Sequence, residues 1–267
     1  MRELSLAALS LIQDRPTDAV RAADAAGFSS VGLRLAAIPA SGVDNDLLDN
    51  AANRRHLRQV MDDSGVRLLD AEVFRFSPAD GVPTPQEATL AAACELGARF
   101  VGVISYEPDL GRAADLLGQL AEQAQDYGLS CLIEFMGFSA IKTLTDAHTV
   151  VDQSGAANAH ILVDTLHVAR KGTSVDELRG LDPRHFPMAQ ICDAASGGVE
   201  HDPVRARAEA VSARLDPGTG VLPITDVIRA LPAAVPLSVE VPRPIGRDAY
   251  EHARSLYAAA QATLTQL

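Results

Sequence analysis

Four short hydrophobic runs in the second half of the chain each carry one polar side chain that could bind a metal ion. The runs are CLIEFM with Glu134, HILVDTLH with Asp164, MAQICDA with Gln190 and PLSVEVP with Glu240. A carboxylate buried in such a run is costly unless it is paired or bound to a cation. Three carboxylates and one amide form an all-oxygen ligand set, which suits Mn²⁺ or Mg²⁺, and also Co²⁺, better than Zn²⁺. The pattern therefore predicts one divalent metal ion per chain.

Each of these residues also has an ordinary structural explanation when it is considered alone. Gln190 could be a hydrogen-bonded core amide, and Asp164 could cap the segment that follows it. Glu240 could pair with Arg243 or Arg247, which come soon after it in the sequence. Because all four residues fall on successive predicted strands, one shared site is favoured over separate explanations. They lie far apart in the sequence, so the fold must bring them together.

Two further residues are candidates for contact with a substrate. His167 follows Asp164 by three positions, which places an imidazole beside a predicted metal ligand. Glu72 lies in the run LLDAEVFRF, where it could line a pocket or pair with Arg75 or another basic neighbour.

The elements that must position these residues alternate between strand-like and helix-like patterns along the whole chain. The predicted strands are Leu4–Ile12, Ser29–Leu35, Arg67–Phe76, Phe100–Tyr106, Leu129–Met136, His160–His167, Phe186–Ala194 and Leu237–Pro242. Helix starts are predicted at Pro16–Asp18, at Pro83–Pro85 and at Ser174.

Eight such strands in 267 residues predict an α/β fold with a single (β/α)₈ TIM barrel, and one domain spanning residues 1–267. An open doubly wound sheet is the alternative, but no Gly-rich dinucleotide fingerprint follows the first strand. In the barrel, functional side chains are expected at the carboxyl ends of the strands.

Composition restricts the classes of partner. The net charge of −12 argues against nucleic acid, because proteins that bind the phosphate backbone present basic faces. No apolar run is long enough to span a membrane, and the N-terminal MRELSLAALSL is expected to form the first strand rather than a signal peptide. Three scattered cysteines fit a reducing compartment, so a cytoplasmic protein is expected. The acidic surface and Ala-rich outer helices are compatible with a homo-oligomer.

Five segments around these residues resemble the sugar isomerase/epimerase superfamily with the xylose-isomerase-like barrel. They are IEF at Glu134, VDTLH at Asp164, QICDA at Gln190, RLDPGTG from Arg214 and SVEVP at Glu240. That superfamily includes ketose 3-epimerases, hydroxypyruvate isomerase, inosose dehydratase and 3-dehydroshikimate dehydratase. Its epimerases usually carry His where Gln190 stands, whereas Gln at this position resembles hydroxypyruvate isomerase and dehydroshikimate dehydratase.

The resemblance implies that Glu134, Asp164, Gln190 and Glu240 ligate one divalent ion. It also implies that His167 contacts the substrate and that Arg214 holds a substrate oxygen or carboxylate. The expected substrate is a small polyhydroxy carbonyl compound.

The chemistry of such sites begins when a proton is removed from the carbon next to a carbonyl group. A bound metal ion stabilises the resulting enediolate, and a carboxylate such as Glu134 or Glu240 acts as the base. Return of the proton gives an isomer or epimer, which is the leading prediction. Loss of a β-substituent gives a dehydratase or another metal-dependent lyase, which is the alternative. In that reaction a charged His167 could act as the general acid that protonates the departing hydroxyl.

Two other classes of protein were compared with this prediction. Apurinic-site endonucleases share the barrel, but they need several His ligands and a basic groove. This chain is acidic, and its predicted site has one His. A non-catalytic barrel that binds metal or sugar is a further alternative, although it would not require a base. The two glutamates and His167 therefore favour an enzyme.

Overall fold

The computed structural model describes residues 2–36, 46–78, 86–197 and 202–267. Within them, eight parallel strands follow one another around a closed barrel in chain order, and the last strand pairs with the first. The strands are β1 (Leu4–Leu6), β2 (Ser30–Arg34), β3 (Arg67–Phe76), β4 (Phe100–Ser105), β5 (Ser130–Glu134), β6 (Ala159–Asp164), β7 (Ala189–Ile191) and β8 (Leu237–Val239). The predicted TIM barrel is confirmed.

Helices connect the strands on the outside of the barrel. Those in the described ranges are α1 (Pro16–Ala26), α2 (Ala51–Ser64), α3 (Gln86–Glu95), α4 (Leu110–Asp126), α5 (Leu144–Ser154), α6 (Thr165–Lys171), α7 (Val175–Arg179), α8 (Pro203–Ser212), α9 (Ile224–Ala230) and α10 (Ala249–Leu264). The predicted start at Ser174 is confirmed, because its side chain caps α7 by accepting a hydrogen bond from the amide of Glu177. The start predicted at Pro83–Pro85 lies outside the described residues. No described helix combines the length and apolarity needed to cross a lipid bilayer.

Several strands are shorter than predicted, and local hydrogen bonds explain why two of them end early. The predicted strand Leu4–Ile12 ends at Leu6, and a 3₁₀ turn over Ala8–Leu11 follows. The hydroxyl of Ser10 in this turn donates to the carbonyl of Val239, which joins the turn to β8.

The second strand that ends early carries a residue of the candidate site. The predicted strand His160–His167 ends at Asp164, and α6 begins with the next residue. The carboxylate of Asp164 accepts a hydrogen bond from the amide of Leu166 and so caps α6. His167 therefore lies on the first turn of α6 rather than on a strand.

The interior of the barrel contains an apolar layer beneath the polar residues. Its members belong to β3, β4, β5 and β6 and to the entry into β7: Leu69, Phe100, Leu132, Leu162 and Met188. Because side chains alternate along a strand, three of these residues each precede a polar residue on the same face by two positions. Those polar residues are Glu134, Asp164 and Gln190, which places them above the layer, toward the carboxyl ends of the strands.

Candidate active site

The predicted site residues meet at the carboxyl ends of β5 to β8. Glu134 and Asp164 are the last residues of β5 and β6, Gln190 lies within β7, and Glu240 directly follows β8. Neighbouring strands pair Asp164 with Gln190 and Gln190 with Ser238. A cavity of about 110 Å³ opens here. Its lining includes every predicted site residue except Asp164: Glu72, Glu134, His167, Gln190, Arg214 and Glu240.

One group of side chains is compact enough to hold a metal ion. Glu134, Asp164 and His167 each offer one ligand atom within 4.8 Å of the others. The Nε2 atom of His167 lies 3.5 Å from Oε1 of Glu134. This nitrogen is buried and has no hydrogen-bond partner among the described residues. The imidazole was predicted to contact substrate, but it is also within reach of a metal ion.

Gln190 and Glu240 form a hydrogen-bonded pair beside this group. Nε2 of Gln190 donates to Oε1 of Glu240 at 3.1 Å. The remaining oxygen, Oε1 of Gln190, is buried and has no partner in the described structure. A buried acceptor without a partner is costly, and a bound cation would satisfy it. The donor set of three carboxylates, an amide oxygen and an imidazole nitrogen therefore fits a divalent ion.

The guanidinium group of Arg214 bridges two of the predicted metal ligands. Its Nη1 atom lies 2.5 Å from Oδ2 of Asp164, and its Nη2 atom lies 2.8 Å from Oε2 of Glu240. Its Nε atom donates to the carbonyl of Ala210 at 2.7 Å. The residue is only 7% exposed. Arg214 thus fixes the positions of both carboxylates, while its predicted contact with substrate stays a prediction.

The partners suggested for Glu240 by sequence proximity are not the ones observed. Arg243 forms an ion pair with Asp14 at 2.8 Å. The cation that pairs with Glu240 is Arg214, from the loop that precedes α9.

A residue that the sequence analysis missed holds the loop that begins at Arg214. The buried carboxylate of Asp193 accepts hydrogen bonds from the amides of Gly218, Gly220 and Leu222 at 3.1, 2.8 and 2.9 Å. A Cβ atom at Gly220 would lie 2.4 Å from Oδ1 of Asp193, so this position requires glycine. An aspartate just after β7, ahead of the string PGTG, was the signal available in the sequence.

The opposite wall of the cavity contains two more carboxyl groups. Glu72 on β3 lies 3.6 Å from Nε of Arg34, so its basic neighbour is Arg34 rather than Arg75. Asp70, which the sequence analysis did not select, is 3% exposed and also lines the cavity. Burial, together with the charges of Glu72 and Glu240, raises the pKa of Asp70 well above its ordinary value.

The environments of the site carboxyls push their pKa values apart. Burial, with the charges of Glu240 and Asp164, raises the pKa of Glu134 well above its ordinary value. Burial, opposed by Arg214, raises the pKa of Glu240 to about 8. Burial would also raise the pKa of Asp164, but the charge of Arg214, together with hydrogen bonds from Arg214 and from the amide of Leu166, outweighs it and lowers that pKa. Asp164 is therefore ionised at neutral pH, whereas burial shifts Glu134 and Glu240 toward the protonated form.

The imidazole of His167 is neutral at physiological pH. Burial lowers its pKa to about 4, although the charge of Asp164 acts in the opposite direction. A neutral imidazole can act as a hydrogen-bond partner or as a ligand, and it is a poor source of protons.

Solved structures similar to this chain share the whole barrel. The IolI protein with a bound zinc atom superposes with a TM-score of 0.81 and 15% identity over 99% of this chain and 98% of its own. A D-psicose 3-epimerase solved in the presence of D-fructose has a TM-score of 0.73 and 16% identity, and 98% of each chain is covered. A xylose isomerase-like TIM barrel/4-hydroxyphenylpyruvate dioxygenase fusion protein has a TM-score of 0.82 and 21% identity, over 99% of this chain and 43% of its own. At these identities the likeness is one of fold.

One curated sequence is similar over a shorter stretch. An inosose isomerase from Bacillus velezensis is 25% identical over 83 residues. The match covers 30% of this chain and 30% of that relative.

A family comparison covers nearly the whole chain. The family described as the xylose isomerase-like TIM barrel matches residues 20–264. This range contains all of the site residues described above. The chain therefore belongs to the xylose isomerase-like TIM barrel family.

Proposed function

We propose that this protein is a divalent-metal-dependent isomerase or epimerase of a small polyhydroxy carbonyl compound. The observation that carries the proposal is a pair of buried ligand atoms without hydrogen-bond partners among the described residues. These atoms, Oε1 of Gln190 and Nε2 of His167, adjoin carboxylates at the carboxyl end of the barrel. The similar proteins named inosose isomerase and D-psicose 3-epimerase support the same reaction class.

In this proposal, Glu134, Asp164, Gln190 and Glu240 hold the ion, with His167 close enough to join them. When bound, the ion would polarise the substrate carbonyl and so make the neighbouring C–H bond more acidic. Arg214 keeps Asp164 and Glu240 in place through its two ion pairs.

The two glutamates are the proposed acid–base groups. Glu134 comes from β5 and Glu240 follows β8, so they approach the cavity from strands that are not adjacent. A group that both takes and returns a proton works best when its pKa is near the working pH. In the metal-free protein, the pKa of Glu240 of about 8 fits this requirement, and burial shifts the pKa of Glu134 in the same direction.

The state of His167 argues against its predicted role as the general acid of a lyase. A lyase must protonate a departing hydroxyl, and His167 could do so only as an imidazolium. Because burial lowers its pKa to about 4, His167 is instead suited to orient a substrate hydroxyl. The glutamates remain able to return a proton to carbon.

Turnover of a panel of ketoses, inososes and dehydroshikimate by Mn²⁺-loaded protein tests the proposal. Glu240→Gln keeps the size of the side chain but removes its charge, so turnover should fall by at least about 100-fold, as for other general acid–base groups. Glu122→Gln, on the exposed surface of α4, is the matched control and should be fully active. Equal activity of the Glu240 variant and the control would refute the assignment of Glu240.

A further inference from the structure

Three arginine side chains line the cavity in addition to Arg214. Arg34 lies at the end of β2, Arg75 lies near the end of β3, and Arg207 lies on α8. A site for neutral sugars would not need these three cations. Arg214 already pairs with the carboxylates at the end of the cavity where the predicted metal ligands lie.

Arg75 and Arg207 have charges that no described residue neutralises. Both residues are exposed, and among the described residues neither forms an ion pair or a side-chain hydrogen bond. Arg34 is only partly neutralised, since its nearest carboxylate atom, on Glu72, is 3.6 Å away. Its Nε atom is buried and lacks a hydrogen-bond partner in the described structure.

Arg34 and Arg75 lie across the barrel from the predicted metal ligands, whereas Arg207 comes from the side of β7 and β8. The predicted ligands come from β5 to β8, whereas Arg34 and Arg75 come from β2 and β3. In a closed ring of eight strands, β3 lies opposite β7. Arg207 reaches the same cavity from α8, the helix between β7 and β8.

The cavity is acidic, so an anionic ligand could bind there only beside cations that offset the carboxylates. The protein has a net charge of −12, and the cavity is also lined by Asp70, Glu72, Glu134 and Glu240. Such a cavity repels an anion unless nearby cations offset the carboxylates. A guanidinium group matches the planar oxygens of a carboxylate or phosphate with paired hydrogen bonds.

We propose that the substrate carries an anionic group, either a carboxylate or a phosphate monoester, and that Arg75 and Arg207 bind it. The inference rests on the proposed function for the other end of the substrate, where the carbonyl group faces the metal ligands. It narrows the substrate class from polyhydroxy carbonyl compounds in general to acidic ones.

Binding of three four-carbon probes tests this proposal without any turnover. Erythritol is neutral, D-erythronate adds a carboxylate, and D-erythritol 4-phosphate adds a phosphate monoester. Calorimetry on the Mn²⁺-loaded protein should show at least one anionic probe binding about tenfold more tightly than erythritol, as expected for one charge-assisted contact. The anionic probe that binds more tightly shows whether the site prefers a carboxylate or a phosphate monoester. Absence of any preference, including failure of all three to bind, overturns the proposal.

Variants separate the arginines in the cavity from general surface charge. The double variant Arg75→Gln/Arg207→Gln should lose the preference for the anion and keep its affinity for erythritol. Arg205→Gln is the control, because Arg205 is exposed on α8 and does not line the cavity. An equal loss of preference in the control and the double variant would show a nonspecific charge effect and overturn the assignment.

The same titrations in the presence of a chelator distinguish this inference from the proposed function. Because Arg75 lies across the barrel from the metal ligands, the ratio of affinities should persist without the ion. Deuterium exchange into neutral ketoses, with no preference for anionic probes, would support the proposed function and refute this inference. A preference for anionic probes without any metal binding would support this inference and refute the proposed function.

Discussion

The amide of Gln190 is oriented by Glu240, the neighbouring predicted metal ligand. Nε2 of Gln190 donates to Oε1 of Glu240 at 3.1 Å. The other polar atom of the amide, Oε1 of Gln190, is buried without a partner in the described structure. The pair thus presents an amide oxygen and a carboxyl group at the ends of adjacent strands.

Replacing Gln190 should weaken metal binding. Gln190→Met keeps the length of the side chain but removes the free oxygen and the hydrogen bond to Glu240. We expect the affinity for Mn²⁺, measured by calorimetry, to fall by about 10- to 100-fold. Gln125→Met, on the exposed face of α4, should bind as the unmodified protein does. Unchanged affinity in the Gln190 variant would remove this residue from the ligand set.

His167→Ala separates contact with substrate from metal ligation. In the four-ligand assignment, this variant should retain about one ion per chain in elemental analysis and lose most of its turnover. Loss of the ion would instead place His167 in the coordination sphere, together with Glu134 and Asp164.

Arg214→Met should destabilise the protein when no metal ion is present. The variant leaves the buried carboxylates of Asp164 and Glu240 without their cation, and breaking a buried ion pair in this way costs about 3–5 kcal/mol. Mn²⁺ should restore part of the loss, because the ion supplies the missing positive charge. Thermal melts with and without chelator measure both effects. A variant that melts as the unmodified protein does in chelator would contradict this role of Arg214.

The pKa of Glu240 predicts how pH affects the metal-free protein. Its folded pKa of about 8 exceeds the value of about 4.3 expected for an unfolded chain. The unfolded state then loses its proton first, so the contribution of Glu240 to stability is fully present below about pH 4.3 and falls as pH rises to about 8.

Metal binding should show the opposite dependence on pH. Glu134 and Glu240 must release protons before they bind the ion, so the affinity for Mn²⁺ should rise with pH up to about 8. Glu240→Gln should weaken both pH dependences, while Glu134 keeps part of the pH dependence of metal affinity. An affinity that is independent of pH between about 6 and 8, where Glu240 should lose its proton, would contradict this prediction.

The barrel could be predicted from the sequence because its signals are local. Alternating apolar runs predict the strands, and Arg67–Phe76 is reproduced with both of its ends. The end of β6 could not be found this way, because the apolar run of the strand continues into α6 without a break. There a side-chain cap from Asp164 to the amide of Leu166 decides the boundary.

The sequence predicted which strands carry the site residues, but it did not predict the contacts between their side chains. Glu134, Asp164, Gln190 and Glu240 lie at the strand ends where buried polar residues were expected. The bridge from Arg214 to two of these carboxylates joins residues that are distant in sequence, and no local pattern encodes it. The part played by Asp193 depends on the conformation of a loop, which is a tertiary property.

Deuterium incorporation from D₂O tests the central claim most directly. The Mn²⁺-loaded protein is incubated in D₂O with ketoses, inososes and acidic polyhydroxy ketones, and each substrate and product is examined by mass spectrometry and NMR. We expect deuterium at the carbon next to the carbonyl, in a product of the same formula apart from the exchanged atom. This exchange should disappear with chelator and in Glu240→Gln. A product lighter by one water would indicate a lyase, and no exchange and no elimination with any of these compounds would contradict the account.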